Sequence, residues 1–202
     1  MTPEPKVFIV DDDEAVRDSL DILLRAAGFA TAPYPDAEAF LAADCADAPG
    51  CLLLDVRMPG LSGLELQEKL VERQAMLPII FITGHGEVDM AVHAMRAGAV
   101  DFLQKPFTDE ALLTSVRSAL ERDRESRASL ERQHEIAERK GRLTPREAEV
   151  MERIVRGEAN KVVAIDLGLS ERTVEIHRSR VMKKMEATSL PHLVRLVLMS
   201  RD

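Results

Sequence analysis

Cys51-Leu52-Leu53-Leu54-Asp55-Val56-Arg57-Met58-Pro59-Gly60 decides how the first half of the chain is read. Its first four residues, three of them leucine, form a short continuous apolar run, the pattern of a strand buried on both faces. An aspartate follows at once, and Pro59-Gly60 interrupts regular structure soon after. In an open parallel α/β sheet, ligands collect at the carboxyl ends of strands. Asp55 is therefore expected at a strand tip, backed by an apolar wall. Taken alone it reads more simply as a strand-ending turn aspartate, and residues elsewhere in the chain shift the balance.

Working outward, Lys6–Val10 (KVFIV) is a second such strand, ending in Asp11-Asp12-Asp13-Glu14. A helix follows with Val16, Leu20, Leu23 and Leu24 on one face, and Gly28 stops it. Residues 29–33 suit a strand and 36–41 a helix. Beyond Asp55 come a helix from about Leu64 to Arg73, a strand at 78–82 ending in Thr83-Gly84-His85-Gly86, and a helix from about Glu87 with Val88, Ala91, Val92 and Met95 inward. The strand Val100–Leu103 ends at Gln104-Lys105-Pro106-Phe107, and a helix starts near Thr108. Five β-then-α units predict an α/β domain over residues 1–120, a doubly wound five-stranded parallel sheet covered by helices on both sides.

Composition narrows the function classes. No apolar run approaches the roughly 18 residues of a spanning helix, and no signal peptide precedes the first strand, so no membrane role and a cytoplasmic location are expected. Cys45 and Cys51 lack metal or redox spacing and fit a reducing compartment. Charge is uneven: residues 1–120 carry 9 Lys/Arg against 20 Asp/Glu, whereas 121–202 carry 18 against 15. Two halves of opposite sign point to two domains with different partners.

With strand order 2-1-3-4-5, the first and third strands are neighbours at the switch point. Asp11, Asp12 and Asp55 then crowd at one edge and repel. Lys105 and a divalent ion are the candidates to offset them, and oxygen-only ligands suit Mg2+. The arrangement makes chemical sense if Asp55 is a nucleophilic phosphate acceptor, with Lys105 and the Thr83 hydroxyl contacting phosphoryl oxygens.

From Glu121 to Arg142, 13 of 22 residues are charged. This segment has almost no apolar stripe, which predicts a solvated helical linker over 121–142 that continues the preceding helix. After it, residues 143–202 read as entirely helical. Thr144-Pro145 opens a helix, residues 159–167 form a short one closed by Gly168, and Ser170 caps a third over about 171–185. A short helix before a capped longer one suits a helix-turn-helix. In the third helix Val174, Val181 and Met185 share one side, flanked by His177 and Arg178; the other carries Arg172, Glu175, Ile176, Ser179, Arg180 and Lys183. With Thr173, His177, Lys161 and Lys184 these are the candidate duplex-DNA contacts. Glu175 can accept from cytosine and Ile176 can touch a thymine methyl.

VDDDEAV, LLLDVRMPG, FITGHGE and DFLQKPF stand in the order and spacing of bacterial two-component receiver domains, which this half closely resembles. LTPREAEV, NKVVAIDLGLSERTVEIHRSRVMKKM and SLPHLVRLVL resemble the LuxR-type DNA-binding domain, and the combination is similar to FixJ-type response regulators. The resemblance implies that a histidine kinase phosphorylates Asp55, and that Asp11, Asp12 and Asp55, with the Arg57 backbone carbonyl, hold Mg2+. It implies that Thr83 and Lys105 read the phosphate and that Phe102 is the switch aromatic. It also implies a four-helix DNA-binding unit whose third helix enters the major groove, and a homodimer formed on phosphorylation through residues 87–103. RNA polymerase is a further candidate partner. In that dimer face His93, Arg96 and Asp101 are candidates to pair across a two-fold axis. The rival is an enzyme, a Mg2+-dependent aspartyl-phosphate phosphohydrolase of the haloacid-dehalogenase type, whose opening motif Asp11-x-Asp13 mimics. Ala15 stands where that family needs threonine or valine, so turnover catalysis is not expected, slow self-dephosphorylation aside.

Overall fold

The computed structural model describes residues 4–84 and 88–200. The chain divides after Arg127 into two compact units. In the first, strands β1 (Lys6–Val10), β2 (Ala30–Tyr34), β3 (Gly50–Asp55), β4 (Ile79–Thr83) and β5 (Asp101–Gln104) alternate with helices α1 (Glu14–Ala26), α2 (Ala37–Ala42), α3 (Gly63–Glu72) and α4 (Val88–Arg96), and α5 (Asp109–Gly141) follows β5. Every pairing is parallel and the order is β2-β1-β3-β4-β5, as the alternation of motifs predicts.

Side chains alternate across each strand, so each strand feeds two layers. Phe8, Val10, Leu52, Leu54 and Phe81 pack with Leu66 and Leu70 of α3, while Val7, Ile9, Leu53, Ile80 and Ile82 pack with α1 and α5 through Leu20, Leu24, Leu112 and Val116. All six residues of β3 are buried, which explains its unbroken apolar sequence.

Two expectations need correction. In α4, Ala94 is buried and Met90 packs beside it, whereas Val92 and Met95 are 43% and 45% exposed. The segment VDMAVHAMR offers apolar residues on adjacent faces, and packing on the sheet selects between them. The expected Glu87 start and the Val88 side chain lie outside the described residues. The charged stretch is helical within α5, but it is not solvated throughout. Asp123 is buried, accepts the Gly50 N–H at 3.0 Å and receives the Arg127 Nε on both oxygens at 2.8 and 2.9 Å. Arg127 also donates to the Asp47 and Ala48 carbonyls, each at 2.8 Å. At Gly50 a Cβ would lie 2.0 Å from the Lys6 carbonyl oxygen, so only glycine fits under this clamp. An ion pair that satisfies buried backbone groups anchors a helix turn without an apolar stripe.

The second unit contains the end of α5 and helices α6 (Pro145–Val155), α7 (Asn160–Leu167), α8 (Glu171–Lys184) and α9 (Leu190–Met199). Ile136 of α5 is buried with Val150, Ile154, Val163, Val174, Val181, Leu193 and Val197. Thr144, Ser170 and Ser189 cap α6, α8 and α9 through backbone N–H bonds. Gly168 ends α7 in the left-handed conformation, φ 65°, and the turn to α8 is three residues long. No helix of the described residues is long and apolar enough to cross a membrane.

Candidate functional site

β1 and β3 are paired with Val10 opposite Leu54, so the residues that follow each, Asp11 and Asp55, emerge side by side. One carboxylate oxygen from each of Asp11, Asp12 and Asp55 can be chosen so that all lie within 4.8 Å of one another. Asp11 is 2% exposed; its Oδ1 accepts the Asp13 N–H and its Oδ2 the Lys105 Nζ, both at 2.9 Å. Lys105 Nζ is 3.9 Å from Asp55 Oδ1. Its strand places it there: β5 pairs with β4 through Thr83 and Gln104, and the Lys105 N–H donates to the Thr83 carbonyl at 2.8 Å. The Lys105–Pro106 peptide is cis.

The pocket is short of positive charge. Burial pushes the Asp55 carboxyl up to about 6, Lys105 opposes this, and Asp11 and Asp12 add to it. A carboxylate that binds protons this readily will also favour another cation. The converging donors are hard oxygens with exposed Asp12 at the rim, a set that fits Mg2+. Asp55, Asp11, Asp12 and Lys105 are thus brought together as expected. Thr83 is buried at the end of β4, one residue past Ile82, which pairs with Asp55. Arg57 lies in the exposed loop after β3. Phe102 is half-buried, 6.4 Å from Phe81 between ring centroids. His85, Gly86 and Glu87 lie outside the described residues.

Three contributions escape the linear sequence. Asp13 caps α1, accepting the Ala15 and Val16 N–H groups at 2.9 and 3.4 Å. That role occupies the second acid of the phosphohydrolase-like motif. Gly63 opens α3 where a Cβ would meet the Asp55 carbonyl oxygen at 2.2 Å, so the first turn of α3 closes onto the acceptor's backbone. A glycine three residues beyond Pro59-Gly60 is its only local signal. Asp101 accepts the Ser115 hydroxyl and the Phe102 N–H, a local network that its position at the start of β5 does not announce.

In the second unit, Val174 and Val181 of α8 and Met185 at its C-cap are buried, as their shared side predicts, while Arg172, Glu175, Ile176, Ser179, Arg180 and Lys183 are exposed. Lys161 is exposed on α7. Three candidates are partly engaged internally. The Thr173 hydroxyl pairs with that of Ser170 at 2.8 Å, and the His177 ring is partly buried, its Nδ1 enclosed without a hydrogen-bond partner among the described residues. Lys184 donates to Glu147 Oε2 at 2.6 Å and the Arg142 carbonyl at 3.0 Å, so its charge serves the domain's interior.

Residues 7–117 match the family model of the response regulator receiver domain, and residues 141–197 that of bacterial regulatory proteins, luxR family. The chain is 48% identical over 194 residues to the transcriptional regulatory protein FixJ of Azorhizobium caulinodans, covering 96% of this chain and 92% of that protein. It is 43% identical over 196 residues to the response regulator protein TodT of Pseudomonas putida, covering 97% and 86%. Among solved structures it resembles the response regulator StyR, with a TM-score of 0.88 and 44% identity over 97% of this chain and 99% of that one. The crowded acids at the tips of β1 and β3 and the capped α7–α8 pair fall within the two matched regions, and the chain belongs to the response regulators, as a transcription regulator whose receiver domain is joined to a LuxR-type DNA-binding domain.

Proposed function

We propose that Asp55 accepts a phosphoryl group from a cognate histidine kinase, assisted by Mg2+ at Asp11, Asp12, Asp55 and the Arg57 carbonyl. The supporting observation is the charge imbalance: three converging acids face one lysine, which stands 3.9 Å from the acceptor carboxylate. An Asp55 oxygen attacks phosphorus as the P–N bond to the kinase imidazole breaks, the bonding pair leaving on that nitrogen. When bound, Mg2+ supplies positive charge against the phosphoryl oxygens. Lys105, 3.9 Å from Asp55, turns from Asp11 toward a phosphoryl oxygen, and Thr83 donates its hydroxyl to another. Phe102 follows Thr83 as the switch aromatic, biasing a two-state equilibrium.

The output is dimerisation through residues 87–103, where exposed Val92 and Met95 of α4 offer apolar surface. Two α8 helices then occupy half-sites of one operator, and coupling two weak sites yields useful affinity. Arg172, Glu175, Ile176, Ser179, Arg180 and Lys183 meet the groove, with Thr173, His177 and Lys161 at its edges. RNA polymerase is the expected onward partner.

Acetyl phosphate with Mg2+ tests the reading. Wild type should gain one phosphoryl mass, dimerise and bind operator-containing DNA more tightly, and Asp55→Asn should do none of these. Equal labelling of the variant would end the assignment of Asp55. Replacing Arg180 and Lys183 together by alanine should lower the slope of log affinity against log salt by roughly 2; an unchanged slope would remove them from the DNA face.

A further inference from the structure

Arg17 is not one of the pocket's acids or its lysine, yet it holds the backbone from which two of the acids project. It lies in α1, half-buried, and its Nη1 donates to the Asp11 carbonyl oxygen at 2.7 Å. That oxygen and the Asp12 N–H belong to one planar peptide unit. Holding the oxygen fixes the plane and the N–Cα bond of Asp12 within it, which restricts the directions open to the Asp12 side chain.

The neighbouring acid is secured differently. The Asp11 carboxylate has Asp13 N–H on one oxygen and Lys105 on the other. Among the described residues no hydrogen bond or ion pair holds the Asp12 carboxylate, although it converges with Asp11 and Asp55. Like charges push such a group outward, through rotation about its own Cα–Cβ bond and through rotation of the Asp11–Asp12 peptide that carries it. A charge-assisted bond from a guanidinium opposes the peptide rotation. Arg17 forms no ion pair with an acid of the described residues, so the carbonyl is its polar anchor there.

We propose that Arg17 is a positioning residue of the metal pocket, aiming Asp12 at the shared ligand position by fixing the Asp11–Asp12 peptide plane. The inference rests on the reading that Asp11, Asp12 and Asp55 receive a divalent cation. Its effect is on affinity for the ion, and Arg17 touches neither ion nor phosphoryl group.

Mn2+ titration of the full chain, followed by the paramagnetic resonance of the free ion, tests it. Arg17→Ala should weaken Mn2+ binding about 10-fold or more, the range seen when groups that orient metal ligands are removed. Phosphate uptake from acetyl phosphate should fall at limiting Mg2+ and recover at saturating Mg2+. Arg17→Lys, which keeps the charge on a differently shaped donor, should recover only part of the affinity. Thermal melting without divalent ions checks folding; if Arg17→Ala melts early, Arg17→Gln, with one amide donor, takes its place in the comparison. Wild-type affinity in both the alanine and glutamine variants overturns the proposal, and full recovery in Arg17→Lys replaces plane-setting by charge alone. Failure of wild type itself to bind Mn2+ would instead overturn the metal reading, a result that Asp12→Asn, run in parallel, keeps distinct.

Discussion

Each unit of this chain buries acid beside a lysine, with opposite results. In the second unit Glu147 accepts the Lys184 Nζ at 2.6 Å and the Thr144 N–H at 2.8 Å, and these bonds, the lysine's foremost, lower its carboxyl to about 2. Lys184 in turn finishes its bonding on the Arg142 carbonyl. In the first unit one lysine serves Asp11 and stands 3.9 Å from Asp55, whose carboxyl rises to about 6. A matched pair is complete without a ligand and behaves as part of the scaffold. A surplus of acid keeps unmet demand for cations, which is what a phosphoryl-accepting pocket requires. Burial raises both carboxyls; at Glu147 the bonds from Lys184 and Thr144 outweigh it, and at Asp55 the shared lysine does not.

The largest test of that contrast breaks the matched pair. Lys184→Ala leaves Glu147 buried without its counter-charge and should cost about 3–5 kcal/mol of stability in the second unit, measured by urea unfolding. A loss below about 1 kcal/mol would mean the pair is not structural. Next, Asp55→Asn should stabilise the metal-free protein at pH 7.5 by about 1–3 kcal/mol. The folded-state value of about 6 exceeds the ordinary 3.8, so ionising Asp55 removes stability as pH rises through that window. The variant's advantage should therefore fade as pH falls from 6 toward 4. Fluorescence of Tyr34, the chain's single tyrosine, reports the first unit. Glu147 should show the opposite sense: its contribution is full above 4.5 and disappears as pH falls toward about 2, so the second unit loses stability in acid. Far-UV circular dichroism of wild type and Glu147→Gln checks it. Smallest, Ser170→Ala removes the α8 cap, which accepts the Thr173 N–H at 3.1 Å, and should cost about 1 kcal/mol.

Much of the receiver was legible because its signals are local. An apolar run marks a buried strand, the next residue marks the sheet edge, and parallel order brings β1 and β3 together. The helical half was legible for a similar reason: Ser170, Gly168 and the spacing of Val174, Val181 and Met185 are all short-range cues. What stayed hidden depends on partners distant in sequence. Lys184 looks like one more cation in a basic stripe until Glu147, 37 residues earlier, meets it. Asp123 looks solvated until Gly50, 73 residues earlier, offers its N–H. The inward side of α4 was hidden because Val88, Ala91, Val92 and Met95 make the fuller apolar stripe at helical spacing, whereas Met90 and Ala94 are the residues that pack on the core.

The clamp formed by Asp123 and Arg127 also bears on how this receiver could be recombined with a foreign output module. A chimaera spliced at residue 120, where the fifth β-then-α unit ends by pattern, would discard both side chains and leave the Gly50 N–H and the Asp47 and Ala48 carbonyls without these partners at the base of the acceptor strand. Splicing beyond Arg127 carries the whole fastening across, so the useful seam lies a full two turns into what reads as spacer.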